Sequence, residues 1–475
     1  MIVHHQMLTQ TWYTVYSLKF FYSPMKLSFY GAAHEVTGSC YMLQSDNVKI
    51  LIDCGMFQGS EEADAKNCAP FPFDPKEIHA VFVTHAHLDH TGRLPKLSKD
   101  GFTEDIYATE GTSELMYFMW DDAAKIMAYN ERKHKITPAY RAEDVERAAA
   151  LRIGVTYRKP LHVGPFVITF HDAGHIFGSS FLEITAEGKT IVFSGDLGNS
   201  NVPILRETDQ LGNADVLIIE STYGDRTHEG RRESSELLLK LITDAAKRGG
   251  TIMIPAFSLE RTQEILYDLN RMSEYDKTLP NIPVFLDSPL AIRSLEVYRT
   301  HPEYYDREAE SLAKAGDDFL QFPQLTITET TEDSKRINTA QSPKLIIAGS
   351  GMMTGGRILH HAMRYLPDPR STLIIVGYQA EGTLGRSLFE GAKEVKIYEQ
   401  TIPVRCTIHA IGGLSAHGDK EKLLSWARNT KDKNKPTRIF CTHGEITSAN
   451  ALANLFKEEL GIIANVPKFG ETVEL

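Results

Sequence analysis

The sequence predicts a mixed α/β protein in which one discontinuous domain carries a second, parallel-sheet domain inserted within it. Residues 25–222 alternate short apolar runs with polar turns that carry Asp, His or Glu. Residues 223–411 contain continuous apolar runs, each followed by a helical segment, and residues 412–475 return to the first pattern. We expect either that Met25 is the true start or that residues 1–24 form a loose extension.

The composition limits the classes of function. The chain has 475 residues, of which 42% are hydrophobic and 24% charged, as is typical of a soluble globular protein with more than one core. The net charge of −11 argues against a general nucleic-acid coat but not against a local basic channel. No apolar run approaches the roughly 18 residues that span a bilayer, so we expect no membrane partner.

The five cysteines indicate a cellular compartment. They lie far apart and include no C-x-x-C pair: Cys40, Cys54, Cys68, Cys406 and Cys441. An odd number of scattered cysteines favours free thiols in a reducing environment. We therefore expect a cytoplasmic protein.

In the first segment, five runs rich in β-branched residues end in turns that carry reactive side chains. They are VKILIDCG, AVFVTHAH, FVITFHDAGH, TIVFSGDLG and VLIIESTYG. Such runs predict strands, and residues at strand ends lie where rigid scaffolds usually hold a site. We expect a helix at about residues 112–133, with its methionines and aromatic residues packed in the core.

In the second segment, four apolar runs end in Pro, Gly or Ser. They are GTIMIPAF, VFLDSPL, KLIIAGSG and TLIIVGYQ. Continuous apolar strands that alternate with helices predict a parallel sheet covered on both faces. Ligands of such sheets bind at the carboxyl ends of the strands. The last segment returns to the first style with RIFCTHGE.

The stretch VTHAHLDHTGRLP, Val83 to Pro95, crowds three histidines and an aspartate into six residues. His85 and His87 are two apart in extended chain and can face one way, whereas Asp89 and the next residue point elsewhere. A chance match to H-x-H-x-D-H is on the order of one in a thousand over this length. One short segment therefore supplies ligands for two neighbouring metal ions.

Ligand-type residues at the ends of later strands complete two metal sites. We predict that one ion binds His85, His87 and His175, that the other binds Asp89, His90 and His443, and that Asp196 bridges them. Imidazole and carboxylate ligands without thiolate suit Zn²⁺, with Mn²⁺ as the alternative. Asp53 is predicted to orient a histidine ligand. Two metals about 3.5–4 Å apart activate a water and stabilise the attacking and leaving oxygens, which suits phosphodiester hydrolysis.

The motif HAHLDH, with Asp53, His175 and Asp196, resembles the metallo-β-lactamase superfamily. ESTYGDR, LSAHGD and CTHGE resemble the added motifs of its β-CASP branch, which contains ribonuclease J and the endonuclease subunit of the pre-mRNA 3′-end cleavage machinery. The similarity runs from Met25 almost to the C-terminus and is closest to stand-alone bacterial and archaeal ribonucleases. It implies an αββα metallo-β-lactamase sandwich with an inserted parallel-sheet β-CASP domain.

The resemblance also implies catalytic roles. It places Glu220, His417 and His443 in the three added motifs. Glu220 would orient and charge His417, which then donates a proton to the leaving oxygen, and Asp89 would join them in catalysis. A histidine in the third motif favours RNA over DNA. Homodimers are common among such relatives, so a homodimer is an expectation by analogy.

The inserted domain resembles the substrate clamp of that family. Its glycine-rich GSGMMTGGR follows an apolar strand, and the backbone N–H groups there are suited to cradle a phosphate. The predicted RNA contacts are Ser350, Gly351, Arg357, Arg386 and Arg261. The alternative for each arginine is a solvated surface side chain.

The sequence thus predicts a zinc-dependent ribonuclease that cleaves single-stranded RNA as an endonuclease, with 5′–3′ exonuclease action as a further activity. One alternative is a small-ester or thioester hydrolase, against which the inserted segment of about 190 residues and the Glu220 and His417 motifs argue. The other is a non-catalytic scaffold subunit of an RNA-processing complex. Every expected ligand position is filled, which argues against that alternative.

Overall fold

A computed structural model describes residues 24–59, 62–428, 436 and 438–475. The predicted extension, residues 1–24, therefore lies outside the described residues except for Pro24. No helix in these ranges is long and apolar enough to cross a bilayer. All five cysteines lie within them, and none forms a disulfide.

The described residues form strands that make up three large sheets and one hairpin. In chain order the strands are β1 Lys26–Phe29, β2 Tyr41–Ser45, β3 Val48–Ile52, β4 Ala80–Phe82, β5 Ile106–Thr109, β6 Arg152–Val155, β7 Leu161–Val163, β8 Phe166–Asp172, β9 Ser180–Ala186, β10 Lys189–Phe193, β11 Val216–Glu220, β12 Thr251–Pro255, β13 Val284–Leu286, β14 Leu325–Ile327, β15 Lys344–Ala348, β16 Thr372–Ile375, β17 Glu394–Ile397, β18 Gln400–Pro403, β19 Thr407–Ala410, β20 Arg438–Thr442, β21 Ala464–Asn465 and β22 Thr472–Glu474.

The helices of the described residues alternate with these strands. They are α1 Ala63–Cys68, α2 Leu88–Thr91, α3 Leu94–Lys99, α4 Glu110–His134, α5 Ala142–Ala149, α6 Arg231–Arg248, α7 Arg261–Asn270, α8 Pro289–Thr300, α9 Arg307–Lys314, α10 Thr331–Ile337, α11 Arg357–Tyr365, α12 Leu384–Phe389, α13 Lys420–Arg428 and α14 Ile446–Leu460. The helix expected at about residues 112–133 is α4. Its first turn is capped by Thr109, whose side chain accepts a hydrogen bond from the Thr112 N–H.

Two seven-stranded sheets pack face to face. The first has the order β22-β1-β2-β3-β4-β5-β6 and the second β21-β20-β11-β10-β9-β8-β7. Alternate residues of each strand point into a shared core, where Phe29 meets Phe440 and Phe82 meets Phe170 at ring-centroid distances of 5.2 and 6.3 Å. Burial of these aromatic side chains is the main force that holds the two sheets together.

Helices cover the outer faces of both sheets. On the first sheet, α4 packs Leu115, Met116 and Trp120 against strand residues of β4 and β5. On the second sheet, α13 and α14 pack against the outward side chains of β10, β11 and β20. The architecture is therefore an αββα sandwich, as predicted.

A six-stranded, fully parallel sheet follows between β11 and β20 in the chain. Its order is β14-β13-β15-β12-β16-β19. Helices α6, α7 and α8 bury one face, and α11 and α12 bury the other. The predicted parallel-sheet insertion is thus present. The exact domain limits, residues 222 and 411, stay predictions.

Candidate active site

The side chains predicted to do chemistry meet at one edge of the sandwich. Asp53 and His85 follow β3 and β4, which are parallel neighbours in the first sheet. In the second sheet β10, β11 and β20 are parallel neighbours, and Asp196, Glu220 and His443 lie at or just beyond their carboxyl ends. Parallel strands end at a common edge, so apolar runs far apart in sequence deliver their polar ends to one place.

The first cluster contains His85, His87, His175 and Asp196, whose ligand-type atoms all lie within 4.8 Å of one another. Nδ1 of His87 is 3.1 Å from Nε2 of His85 and 3.4 Å from Nε2 of His175. Oδ2 of Asp196 is 3.4 Å from the first of these Nε2 atoms and 3.6 Å from the second. All four side chains face one point.

The second cluster contains Asp89, His90 and His443, again within 4.8 Å. Nε2 of His443 lies 3.4 Å from Oδ2 of Asp89. The other oxygen of Asp196, Oδ1, is 3.3 Å from Nε2 of His90 and 3.6 Å from that of His443. Asp196 therefore presents one oxygen to each cluster, which is the position of a bridging ligand.

These clusters contain electron-pair donors without matching hydrogen-bond donors. Both oxygens of Asp196 are buried and have no hydrogen-bond partner among the described residues. Burial lowers the pKa of His85 to about 3 and that of His87 to about 4, so both rings are neutral at pH 7. Neutral imidazoles and an unpaired buried carboxylate are unfavourable together unless a cation lies between them. The residues fit divalent metal ions with nitrogen and oxygen ligands.

Asp53 holds His90 in place. Its Oδ2 lies 2.7 Å from Nδ1 of His90, and the backbone N–H and the hydroxyl of Thr84 donate to its two oxygens at 2.8 Å each. Burial opposes charge on His90, but Asp196 and Asp53 raise its pKa well above the ordinary value. A metal ion that binds this ring would therefore displace a proton.

Glu220 and His417 form a pair beside the clusters. Oε2 of Glu220 is 3.0 Å from Nδ1 of His417, and Oε1 accepts a 2.7 Å hydrogen bond from the Leu197 N–H. The His417 ring centroid lies 4.6 Å from that of His175. Burial alone would lower the pKa of His417, but the carboxylates of Glu220 and Asp196 raise it to about 9. The pair therefore holds a proton next to the clusters.

The three arginines predicted to contact RNA differ in their partners. Arg261 is 3% exposed, and its Nη1 donates to Glu264 at 2.5 Å while Nη2 has no partner among the described residues. Arg357 donates to Asp287 at 2.7 Å, and Arg386 donates to Glu390 at 2.6 Å. All three arginines thus bind a carboxylate of their own domain, and Arg261 has in addition one buried nitrogen without a partner among the described residues.

A cleft opens over the clusters, between the sandwich and the inserted sheet. Its walls include six of the predicted site residues: His87, Asp89, His175, His417, His443 and Arg261. Ser350 and Gly351 are not among the described residues that line it. The Ser350 hydroxyl accepts from the N–H groups of Thr354 and Gly355 within its own loop. Contact of this loop with RNA stays a prediction.

Sequence reasoning missed four residues of the site. Thr84 hydrogen-bonds to Asp53 and His85, Thr222 hydrogen-bonds to His443, and Phe257 and Tyr378 line the cleft. Each had a signal: the threonines lie within two residues of His85 or Glu220, and the two aromatic residues directly follow apolar strands of the inserted sheet.

Three family models match the chain. Residues 35–256 match the metallo-beta-lactamase superfamily. Residues 262–388 match the Beta-Casp domain. Residues 401–467 match a family described as the Zn-dependent metallo-hydrolase RNA specificity domain. Together these models cover both the sandwich and the inserted sheet.

Curated relatives match over almost the whole chain. A Thermus thermophilus protein named a ribonuclease is 40% identical, over 94% of this chain and 100% of the relative. An "RNase J-like protein" of Methanocaldococcus jannaschii is 32% identical, over 94% and 98%. A "Transcription termination factor FttA" of the same organism is 31% identical, over 93% and 71%. A solved structure of a protein of unknown function from Enterococcus faecalis shares the fold, with a TM-score of 0.53 at 14% identity over 95% of this chain and 100% of the other.

Proposed function

This chain belongs to the metallo-β-lactamase superfamily, in its β-CASP branch, and on that premise we propose that it hydrolyses the phosphodiester bonds of single-stranded RNA. The observation that carries the proposal is the pair of clusters joined by Asp196, whose buried oxygens face one cluster each. Support for RNA comes from the family description matched by residues 401–467 and from the names of the two relatives called ribonucleases.

Two zinc ions, with manganese as the alternative, are proposed to occupy the clusters. The proposed ligands are His85, His87 and His175 for one ion, Asp89, His90 and His443 for the other, and Asp196 for both. When bound, such ions act as Lewis acids that lower the pKa of water and stabilise the attacking and leaving oxygens. Asp53 would fix the orientation of the His90 ring through their 2.7 Å contact.

The side chains of the cleft are proposed to do the remaining work. His417, charged through Glu220, donates its proton to the leaving oxygen. Asp89 lines the cleft and is proposed to orient the attacking water. Arg261, which lines the cleft, is proposed to bind a phosphate oxygen of the strand. Ser350, Gly351, Arg357 and Arg386 stay predictions as further RNA contacts.

The alternative of a small-ester hydrolase is less well supported. The inserted sheet supplies part of the cleft wall through Arg261 and its neighbours, which suits a long substrate. We propose endonuclease action with 5′–3′ exonuclease action in addition, and a cytoplasmic location consistent with five free thiols. A homodimer remains an expectation.

Incubation of RNA labelled at its 5′ end, and in parallel at its 3′ end, tests this proposal, with metal analysis of the same preparation. Shortened fragments that keep the 5′ or the 3′ label would indicate endonuclease action, and labelled mononucleotides released from the 5′ end would indicate exonuclease action. The matched control is the double variant His85→Ala with His87→Ala, which should lose both cleavage and bound zinc. Undiminished cleavage by that variant would refute the metal assignment, and intact RNA with the native protein would refute the function.

A further inference from the structure

Phe257 is an aromatic side chain that lines the cleft. It lies two residues beyond β12, at the carboxyl edge of the inserted sheet, and is only half-buried. Its ring lines the same cleft as the metal clusters, and its centroid is 6.3 Å from that of His87. Among the described residues, this histidine is the aromatic neighbour of the ring.

The backbone on one side of the ring is shaped to receive it. A Cβ atom at Gly351 would lie 2.6 Å from Cδ2 of the Phe257 ring, and one at Gly377 would lie 3.4 Å from its Cε2. These glycines lie just beyond the neighbouring strands β15 and β16. Because neither has a side chain, the ring can lie against two backbone segments. A residue packed in this way has a fixed orientation.

The surroundings of the ring combine an apolar wall with groups that bind phosphate. Leu259, Met352 and Tyr378 extend the apolar surface of the cleft. Arg261 lines the same cleft, and His87, the neighbour of the ring, belongs to the first ligand cluster. A nucleotide has the same arrangement of groups, since an apolar base face and a phosphate are separated by one sugar.

We propose that the Phe257 ring is a stacking subsite for one unpaired nucleobase next to the cleaved phosphodiester bond. Base–aromatic stacking is a common way to recognise single strands and tolerates different base identities. Bases in a duplex have both faces covered by their neighbours, so this subsite selects single-stranded substrate. The inference rests on the proposed ribonuclease function and adds a determinant of its specificity.

A double-mutant-type cycle tests the subsite, with one change that removes the aromatic ring from the protein and one that removes the base from the RNA. The reference substrate is an oligoribonucleotide with a mapped cleavage site. Each test substrate carries a single abasic residue, placed at one of the two positions before or the two positions after that site. The variant Phe257→Leu keeps apolar volume but loses the aromatic face. The matched control is Phe389→Leu, the same change at an exposed phenylalanine of the same sheet domain that does not line the cleft.

The expected result is that one abasic position lowers kcat/KM of the native protein by roughly 5- to 150-fold, which corresponds to ~1–3 kcal/mol of stacking. Phe257→Leu should cause a similar loss on intact RNA, mainly through KM because the base is bound in both ground and transition states. The two changes together should cost no more than either alone. Phe389→Leu should behave as the native protein on every substrate.

Other outcomes separate the subsite from the proposed function. Independent, multiplicative losses, or equal cleavage of abasic and intact RNA by the native protein, would overturn the subsite while the function stands. Failure of the native protein to cleave intact RNA would overturn the function itself. Zinc content and Tm are measured for each variant, and Phe257→Tyr, which keeps the aromatic face, should retain the sensitivity to the abasic position.

Discussion

At the scale of single residues, hydrogen-bond partners decide which ring nitrogen of a histidine carries the proton. The Thr222 hydroxyl oxygen lies 3.1 Å from Nδ1 of His443 and 3.1 Å from the His443 carbonyl oxygen. A carbonyl oxygen can only accept, so the hydroxyl donates to it and Nδ1 must donate to the hydroxyl. Nε2, which faces Asp89 and Asp196, is then free to bind a metal ion.

This tautomer argument predicts the behaviour of Thr222→Val, which replaces the hydroxyl by a methyl group. We expect one of the two metal ions to bind roughly 10- to 100-fold more weakly, because Nδ1 loses its acceptor. Titration with a chelator, followed by metal analysis, should show one ion lost earlier than in the native protein. Thr222→Ser keeps the hydroxyl and should behave as the native protein; equal retention by the valine variant would contradict the argument.

His417→Ala tests the proton donor. We expect cleavage to slow by roughly 10²- to 10⁴-fold, the usual contribution of a positioned general acid, because the leaving oxygen no longer receives a proton. The measurement combines single-turnover cleavage with metal analysis, and His360→Ala, an exposed histidine of α11, is the control. Loss of zinc would instead make His417 a ligand, and an unchanged rate would exclude it as the donor.

Some residues of the site could be predicted from the sequence, and others could not. The clustered histidines and aspartates were predictable because each follows an apolar run, and parallel strands share an edge. The role of Thr222 was not, because its partner His443 is 221 residues later in the chain. The glycine-rich loop before Arg357 predicts an RNA contact, whereas the carboxylate that accepts its hydrogen bond, Asp287, lies 70 residues away in sequence. Pairings of this kind depend on the folded arrangement.

At the scale of elements, one buried aspartate ties helices to the inserted sheet. Asp287 follows β13 and is fully buried. It accepts hydrogen bonds at 2.7 Å from Arg357, the first residue of α11, and from Ser334 of α10, and His361 of α11 lies 2.7 Å from it. The pKa of the Asp287 carboxyl, which burial alone would raise, falls to about 2 because of these bonds. The carboxylate therefore needs its partners to remain charged in the interior.

Removal of one partner should destabilise the inserted sheet. We expect Arg357→Ala to lower the free energy of unfolding by about 3 kcal/mol, since a buried charge loses its main counter-ion. Urea melts provide the measurement, and the control is Arg336→Ala, whose exposed pair with Asp333 should contribute little to stability. If the two variants were equally stable and only Arg357→Ala bound RNA more weakly, Arg357 would be an RNA contact and not a stabilising partner of Asp287.

At the scale of the whole molecule, charge constrains how a polyanion approaches. The net charge is −11, so the average surface repels RNA and attraction must come from a few local cations. We expect the proposed metal ions and Arg261 to provide that attraction within one cleft, so that only a few phosphates contribute to binding.

The salt dependence of RNA affinity should report how few phosphates the protein contacts. If about three phosphates are contacted, log K should fall against log salt with a slope of roughly −2, using about −0.7 per phosphate of a single strand. Fluorescence anisotropy of a labelled strand between low and moderate salt provides the measurement. Arg261→Gln should make the slope less steep by about 0.7. A steep slope like that of extended basic surfaces, or no change in this variant, would contradict the local-cleft description.

The order in which the chain is made has a consequence for the cell. The chain leaves the second sheet after β11 and returns to it at β20. The ribosome therefore adds His443 only after it has made the entire inserted sheet. Until then one cluster lacks a histidine and β11 lacks its parallel neighbour. We therefore expect a nascent copy of the proposed ribonuclease to gain activity only after His443 has been added and β20 has paired with β11.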